Sequence, residues 1–335
     1  MLKKLLMVFG YVAFLLIAVL ILLNLIYTAG FIDFYKPELN FFNSRDDLSG
    51  GNEKDMILVM GDSFTAGNSN YPNILRNMFP GRRIINAGIP GSGIIQAEIT
   101  GKKRIMQFRP TIFIYQIYTG NDLFDITYPV NWKKISLARN IYWFIANQLP
   151  IVSYINYRLG QIMAQAAGGY TKYSALTSPY READEFSVRK YTKHDITCNV
   201  ADERLISDTV LLEGERKNDF HILVAKLHKL MNYLSPGCRK IVIIVPHMSQ
   251  LNGLYLNRAV QLGATFPEPD KFLETEYPFI RQLRDRFPDV VIINPLAALR
   301  NAVTEGTEVY YINDAHLNIN GQKILADLIG PYLKK

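Results

Sequence analysis

The sequence predicts an α/β architecture, a five-stranded parallel sheet wrapped by helices on both faces, preceded by an apolar N-terminal helix. Five short runs rich in β-branched residues recur along the chain, at Met56–Met60, Arg83–Asn86, Ile112–Ile117, Ile241–Val245 and Val290–Ile293. Helical patterns separate most of them, and this alternation is what crossover helices between parallel strands produce. Several runs are followed by Gly, Pro or Asn, at the strand ends where such sheets bind ligands.

Leu5 to Tyr27 holds no charged residue and is dominated by Leu, Ile, Val and Phe. At about 1.5 Å rise per residue this length crosses a hydrocarbon layer of about 30 Å. It exceeds the apolar region of a cleaved signal, and Thr28-Ala29-Gly30 makes a poor cleavage site. Residues 1–27 therefore read as an uncleaved membrane anchor. Lys3 and Lys4 flank its start, which puts the N-terminus in the cytoplasm and the rest of the chain in the periplasm or outside the cell. Lys36 and Arg45 on the far side make that bias modest.

Residues 28–54 are polar and read as a tether, and residues 55–335 as the main domain. A long insertion, at about 123–208, interrupts the strand–helix rhythm. Within it Leu137–Ala166 looks helical, broken at Pro150, and carries Trp143, Phe144, Tyr154 and Tyr157. Two readings stand: a cap that shapes an acceptor site or lies on a membrane surface, or peripheral helices packed on the core. Thr209–Leu234 reads as a crossover helix. Asn320–Leu333 reads as a closing helix with Ile324, Leu325, Leu328, Ile329 and Leu333 on one face.

The net charge of +7 is spread without a long basic run. That composition favours weak attraction to anionic glycans or lipid headgroups over a nucleic-acid footprint, and no nucleic-acid partner is expected. Cys198 and Cys238 match no zinc spacing, leaving one disulfide or two buried thiols.

Three strand ends and one late segment hold candidate chemistry. Gly61-Asp62-Ser63-Phe64-Thr65-Ala66-Gly67 follows the first run, where a sharp turn into a helix can present a nucleophilic hydroxyl. Ser63 also suits a plain helix cap. Asn86-Ala87-Gly88-Ile89-Pro90-Gly91-Ser92-Gly93 follows the second run, and a glycine there brings a backbone N–H close to a substrate; a simple turn is the other reading. Thr119-Gly120-Asn121-Asp122 follows the third run, and its carboxamide suits an oxyanion donor or a turn. In Asp314-Ala315-His316, an extended backbone would turn both side chains into one cleft. His316 would then take the Ser63 proton while Asp314 holds the ring. His194, His221, His228 and His247 lack such surroundings and read as structural or surface residues.

These four blocks, in this order, resemble the SGNH/GDSL hydrolase family over roughly residues 55–122 and 240–334. The resemblance implies a flavodoxin-like α/β/α sandwich with Ser63 as nucleophile and Asp314 and His316 completing the triad. It implies an oxyanion hole of the Ser63 and Gly91 N–H groups with the Asn121 side chain, Gly88 being the second choice. No metal or organic cofactor is implied.

Two departures stand out: Phe64 replaces the usual Leu, and Asn313 stands where the common D-x-x-H ending has its acid. The D-x-H ending is similar to that of membrane-anchored proteins that O-acetylate exported polysaccharides such as alginate. The expectation is a serine esterase acting on an acyl ester, carried by an extracytoplasmic glycan. An O-acyltransferase with the same triad and a catalytically idle glycan-binding scaffold are the alternatives. The expected partners are the carbohydrate ester, the membrane and proteins of glycan export or acylation.

Overall fold

Each of the five apolar runs forms a strand: β1 (Ile57–Met60), β2 (Ile84–Asn86), β3 (Ile112–Tyr118), β4 (Arg239–Val245) and β5 (Val291–Ile293). The computed structural model describes residues 1–45, 48, 55–67, 69–127, 136–166, 185–191, 196 and 203–334. All strand pairs are parallel, in the order β2-β1-β3-β4-β5. β1 to β4 are buried almost throughout, which is why they read as unbroken apolar runs instead of alternating ones. β3 outruns β1, since Met60 pairs with Tyr115 while Gln116, Ile117 and Tyr118 pair only with β4.

The chain opens with helix α1 (Leu2–Thr28), then α2 (Lys36–Phe42), α3 (Tyr71–Met78) and α4 (Ile94–Phe108). Helices α5 (Leu137–Gln148), α6 (Ile151–Ala166), α7 (Leu205–Leu211) and α8 (Arg216–Met231) follow β3. After β4 come α9 (Gly253–Gln261), α10 (Pro269–Phe272) and α11 (Pro278–Arg286). Helices α12 (Leu296–Thr304) and α13 (Ile319–Leu333) follow β5. α3 packs on α13 and α4 on α8. Right-handed crossovers place these two pairs on opposite faces, giving three layers. On the closing helix Leu325, Ile329 and Leu333 are fully buried, with Ile324 and Leu328 packed beside them.

The expected crossover helix over 209–234 is two helices, because Leu212 and Gly214 both take positive φ between α7 and α8. Pro150 separates α5 from α6 as expected.

Residues 33–43, inside the stretch expected to be a tether, are stitched to the domain. Asn43 accepts from the Asn86 N–H at 2.8 Å and donates to the Asn86 carbonyl at 2.8 Å, covering the free edge of β2. Glu38, fully buried, pairs with Arg158 of α6 at 2.6 Å. Arg104 of α4, also fully buried, donates to the Tyr35 carbonyl at 3.2 Å and the Ala87 carbonyl at 3.1 Å.

α1 is long and apolar enough to cross a membrane, and its most apolar window is not buried in the protein. Cys238 is a free, buried thiol; Cys198 and His194 lie outside the described residues.

Candidate active site

The strand order reverses between β1 and β3, and sheets of this kind leave a crevice beyond the carboxyl ends of those two strands. Ser63 stands there, three residues after β1. The chain bends because the Asp62 carbonyl accepts from the Thr65 N–H at 3.1 Å and the Ala66 N–H at 3.0 Å. Its carboxylate accepts from the Phe64 N–H at 2.8 Å, an Asx turn that lifts Ser63 to the crest. Gly61 is required beneath it: a Cβ there would lie 2.5 Å from Gln116 Oε1. That oxygen accepts from the Asp62 N–H and the Thr65 hydroxyl, both at 3.1 Å. Asn70 holds the Ser63 carbonyl at 2.8 Å, and Gln322 of α13 reaches the Phe64 carbonyl at 3.3 Å.

The structure brings the three separated residues into contact. Ser63 Oγ lies 2.7 Å from His316 Nε2, and His316 Nδ1 lies 2.5 Å from Asp314 Oδ1. The Phe64 ring tilts over the imidazole with centroids 4.9 Å apart, walling one side of it. In place of the expected extended backbone, Asp314–His316 forms a bend, with the His316 N–H donating to Asp314 Oδ1 at 2.8 Å. The bend is closed by the bridge between Tyr310 and Leu317 just before α13. An Asx turn, not strand alternation, turns acid and imidazole toward each other.

Gly91 and Asn121 stand on the loops after β2 and β3, with no direct hydrogen bond to the three residues above. Gly91 takes φ +67°, a conformation L side chains rarely adopt, and is exposed. Among the described residues neither the Ser63 nor the Gly91 N–H donates to a protein acceptor. Gly88, the second choice, differs: its N–H is taken by Asn86 Oδ1 at 3.0 Å. Asn121 Nδ2 donates one hydrogen to Asp125 at 2.8 Å, which fixes the amide orientation and leaves a second hydrogen.

Two buried carboxyls stand at the Ser63 turn and the neighbouring loop after β3. Burial pushes Asp62 up to about 6, against the favourable Phe64 N–H bond and the His316 ring. Asp122 is pushed well above the usual carboxylate range, first by burial and then by Asp62. It accepts from the Tyr118 N–H at 2.9 Å, pinning the loop that holds Asn121. His247, after β4, is buried, and burial pushes it down to about 3. Its Nδ1 faces Ser249 Oγ at 2.7 Å and caps a short 3₁₀ turn, the structural role expected of it. His221 and His228 sit on the exposed side of α8.

Several supporting residues carry weak sequence signals. Gln116 is the one polar side chain inside the apolar β3 run, and that interruption is its signal. Asn313 is more informative. Its side chain donates to the Glu185 carbonyl at 2.7 Å and accepts from the Ser187 N–H at 2.9 Å. Asn313, three residues before His316, therefore clamps residues 185–187 beside the site.

No protein-family model matches the chain, and no curated protein matches its sequence. Among solved structures, the fold is similar to LAE5, an alpha/beta hydrolase enzyme from the metagenome of Lake Arreo, Spain. That match has 12% identity, covers 85% of this chain and 97% of that one, and has a TM-score of 0.38. The acetylxylan esterase Axe2 of Geobacillus stearothermophilus is 10% identical, with 86% and 97% coverage and a TM-score of 0.40. A catalytic mutant of Axe2 is 11% identical, with 85% and 96% coverage and a TM-score of 0.42. At that distance the likeness carries no argument about chemistry, which rests on the side chains described above.

Proposed function

We propose that the protein is a serine esterase of SGNH type that cleaves an acyl ester through an acyl-serine intermediate. The observation that carries this reading is the continuous chain from Ser63 Oγ through the His316 ring to Asp314, at 2.7 and 2.5 Å, at the mouth of the β1/β3 crevice. Nε2 is placed to accept the Ser63 proton as Oγ attacks the ester carbonyl, and Asp314 stabilises the imidazolium formed. The N–H groups of Ser63 and Gly91 and the remaining Asn121 hydrogen are the proposed donors to the tetrahedral oxyanion. His316 returns the proton to the departing alkoxide, leaving an acyl-serine. Water, deprotonated by the same imidazole, then releases the acid.

The D-x-H ending and the apolar N-terminal helix direct the substrate reading to O-acyl groups on an extracytoplasmic glycan. In that reading residues 1–27 anchor the chain with its N-terminus in the cytoplasm, and residues 55–335 form the catalytic domain. The insertion at about 123–208 borders the acceptor side. One observation favours transfer to a sugar hydroxyl as the second reading. Asn313 fixes residues 185–187 next to the triad, a wall that water alone does not need.

Full-length protein in detergent, assayed on a short acetyl ester, tests the proposal. Turnover is expected to vanish in Ser63→Ala, and a fluorophosphonate probe is expected to label Ser63. Retained turnover in Ser63→Ala would refute the esterase reading, and absence of both labelling and turnover in the folded protein favours an idle scaffold. Adding an oligosaccharide acceptor separates the two enzymatic readings by whether acyl groups reach sugar or only water.

A further inference from the structure

We infer that helices α5 and α6 form a second membrane contact, lying in the outer headgroup layer beside α1. The inference rests on reading α1 as the membrane anchor.

Three observations lead to it. First, α1 does not end as a free stalk. Leu20, Asn24 and Tyr27, spaced four and three residues apart, form one face that docks on the α5–α6 corner. Asn24 Oδ1 accepts the Ile151 N–H at 3.1 Å, so a side chain of the apolar helix satisfies a first-turn amide of α6. The hairpin is therefore held at the depth where α1 leaves the bilayer.

Second, the hairpin shows solvent an apolar stripe. On α5, Leu137, Ile141, Phe144 and Ile145 recur at helical spacing and are 55%, 48%, 63% and 37% exposed. On α6, Ile162 and Met163 are 60% and 71% exposed. The corner between the two helices is what meets α1, since Leu149 and Ile155 pack in the same cluster as Tyr27. α1 is itself apolar and exposed along most of its length, so exposed apolar side chains stand on both sides of this joint. Apolar patches of this kind in soluble surroundings mark an interaction site.

Third, the charge fits a lipid surface. Residues 126–181 contain no Asp or Glu and six Lys or Arg, of which Arg139 and Arg158 stand on α5 and α6 and Arg158 is paired with Glu38. An acid-free, aromatic-rich hairpin within a segment of net positive charge is the composition that settles at anionic headgroups. A protein partner would accept acidic residues along this length; an anionic bilayer would repel them.

The test uses the full chain in vesicles of phosphatidylethanolamine and phosphatidylglycerol, with Cys198 and Cys238 replaced by Ser. An environment-sensitive fluorophore is placed singly at Leu15→Cys, Phe144→Cys or Lys271→Cys, and lipid carrying a shallow spin label serves as quencher. The expected result is strong quenching at Phe144→Cys, none at Lys271→Cys, and quenching at Leu15→Cys by a deep-placed spin label. Quenching at Leu15→Cys with none at Phe144→Cys overturns the hairpin contact while the anchor stands. No quenching at Leu15→Cys overturns the anchor and the inference with it. Equal quenching at Phe144→Cys and Lys271→Cys overturns it as non-specific adsorption. Ile141→Cys supplies a second position on the same stripe if F144C does not fold.

Discussion

Asp314 receives two hydrogen bonds from a single neighbour, His316: one from the backbone N–H at 2.8 Å and one involving ring Nδ1 at 2.5 Å, both to Oδ1. The acid therefore builds the turn and orients the imidazole with the same atom. Asp314→Ala is expected to lower kcat by about 10⁴-fold, the scale of losing the orienting acid of a serine triad. The structure makes a sharper prediction at the adjacent position. Asn313 faces Glu185 and Ser187, so the double variant Asn313→Asp with Asp314→Ala is expected to stay as inactive as D314A. Rescue of ester turnover by the second change would show that an acid three residues before His316 reaches the ring.

Asn121 gives a second kinetic prediction. Its amide is held by Asp125, and Asp122 pins the same loop through the Tyr118 N–H. As a proposed oxyanion donor, Asn121 would bond charge present only in the transition state, so Asn121→Ala is expected to reduce kcat by roughly 10²–10³-fold with little change in KM. A rise in KM at constant kcat would assign Asn121 to ground-state binding instead.

Two buried groups oppose each other as pH falls. Burial moves Asp62 from 3.8 up to about 6, so across that window the folded chain binds a proton before the unfolded chain does, and stability rises on acidification. Burial moves His247 from 6.5 down to about 3, so there the unfolded chain binds first and stability falls. Asp62→Asn keeps an acceptor for the Phe64 N–H but removes the gain. Measured against the parent protein by urea midpoints, its stability is expected to be highest above pH 6 and to decline on acidification, by on the order of 2 kcal/mol. His247→Asn is expected to shift the opposite way. Parallel pH curves for all three proteins would refute both assignments.

The strands were legible because a sheet covered on both faces leaves continuous apolar runs, and the place of Ser63 because the chain must turn at a strand end. What supports the site was less so. Gln116, Asn70 and Gln322 act through contacts with partners between 7 and 258 residues distant, a pairing that no local pattern encodes. The bend at Asp314 was hidden for a different reason. Two residues apart, an extended segment and an Asx turn both bring side chains together, and only the backbone hydrogen bond tells them apart. Residues 33–43 read as a polar tether because Glu38, Asn43 and Asp33 are polar by type. Each is matched by a partner on α6, β2 or α4, a fact of tertiary structure.

The end of α1 is expected to matter for both stability and turnover. Tyr27 is fully buried, shares a hydrogen bond of 3.0 Å with the Tyr35 hydroxyl, and stacks obliquely on Tyr154 with centroids 5.8 Å apart. The same cluster contains Ile89, which lies on the loop that bears Gly91. Tyr27→Ala is expected to cost about 3–5 kcal/mol, the range for emptying a buried aromatic site. Tyr27→Phe, which removes only the hydroxyl, is expected to cost about 1 kcal/mol. Because Ile89 belongs to the cluster that Tyr27 fills, Tyr27→Ala should also lower kcat well below the folding midpoint, while Tyr27→Phe leaves it unchanged. Thermal melts of the full chain in detergent, run alongside ester turnover, check both. If Tyr27→Ala melts and turns over like the parent protein, the first helix is a passive leash and the Gly91 loop stands without it.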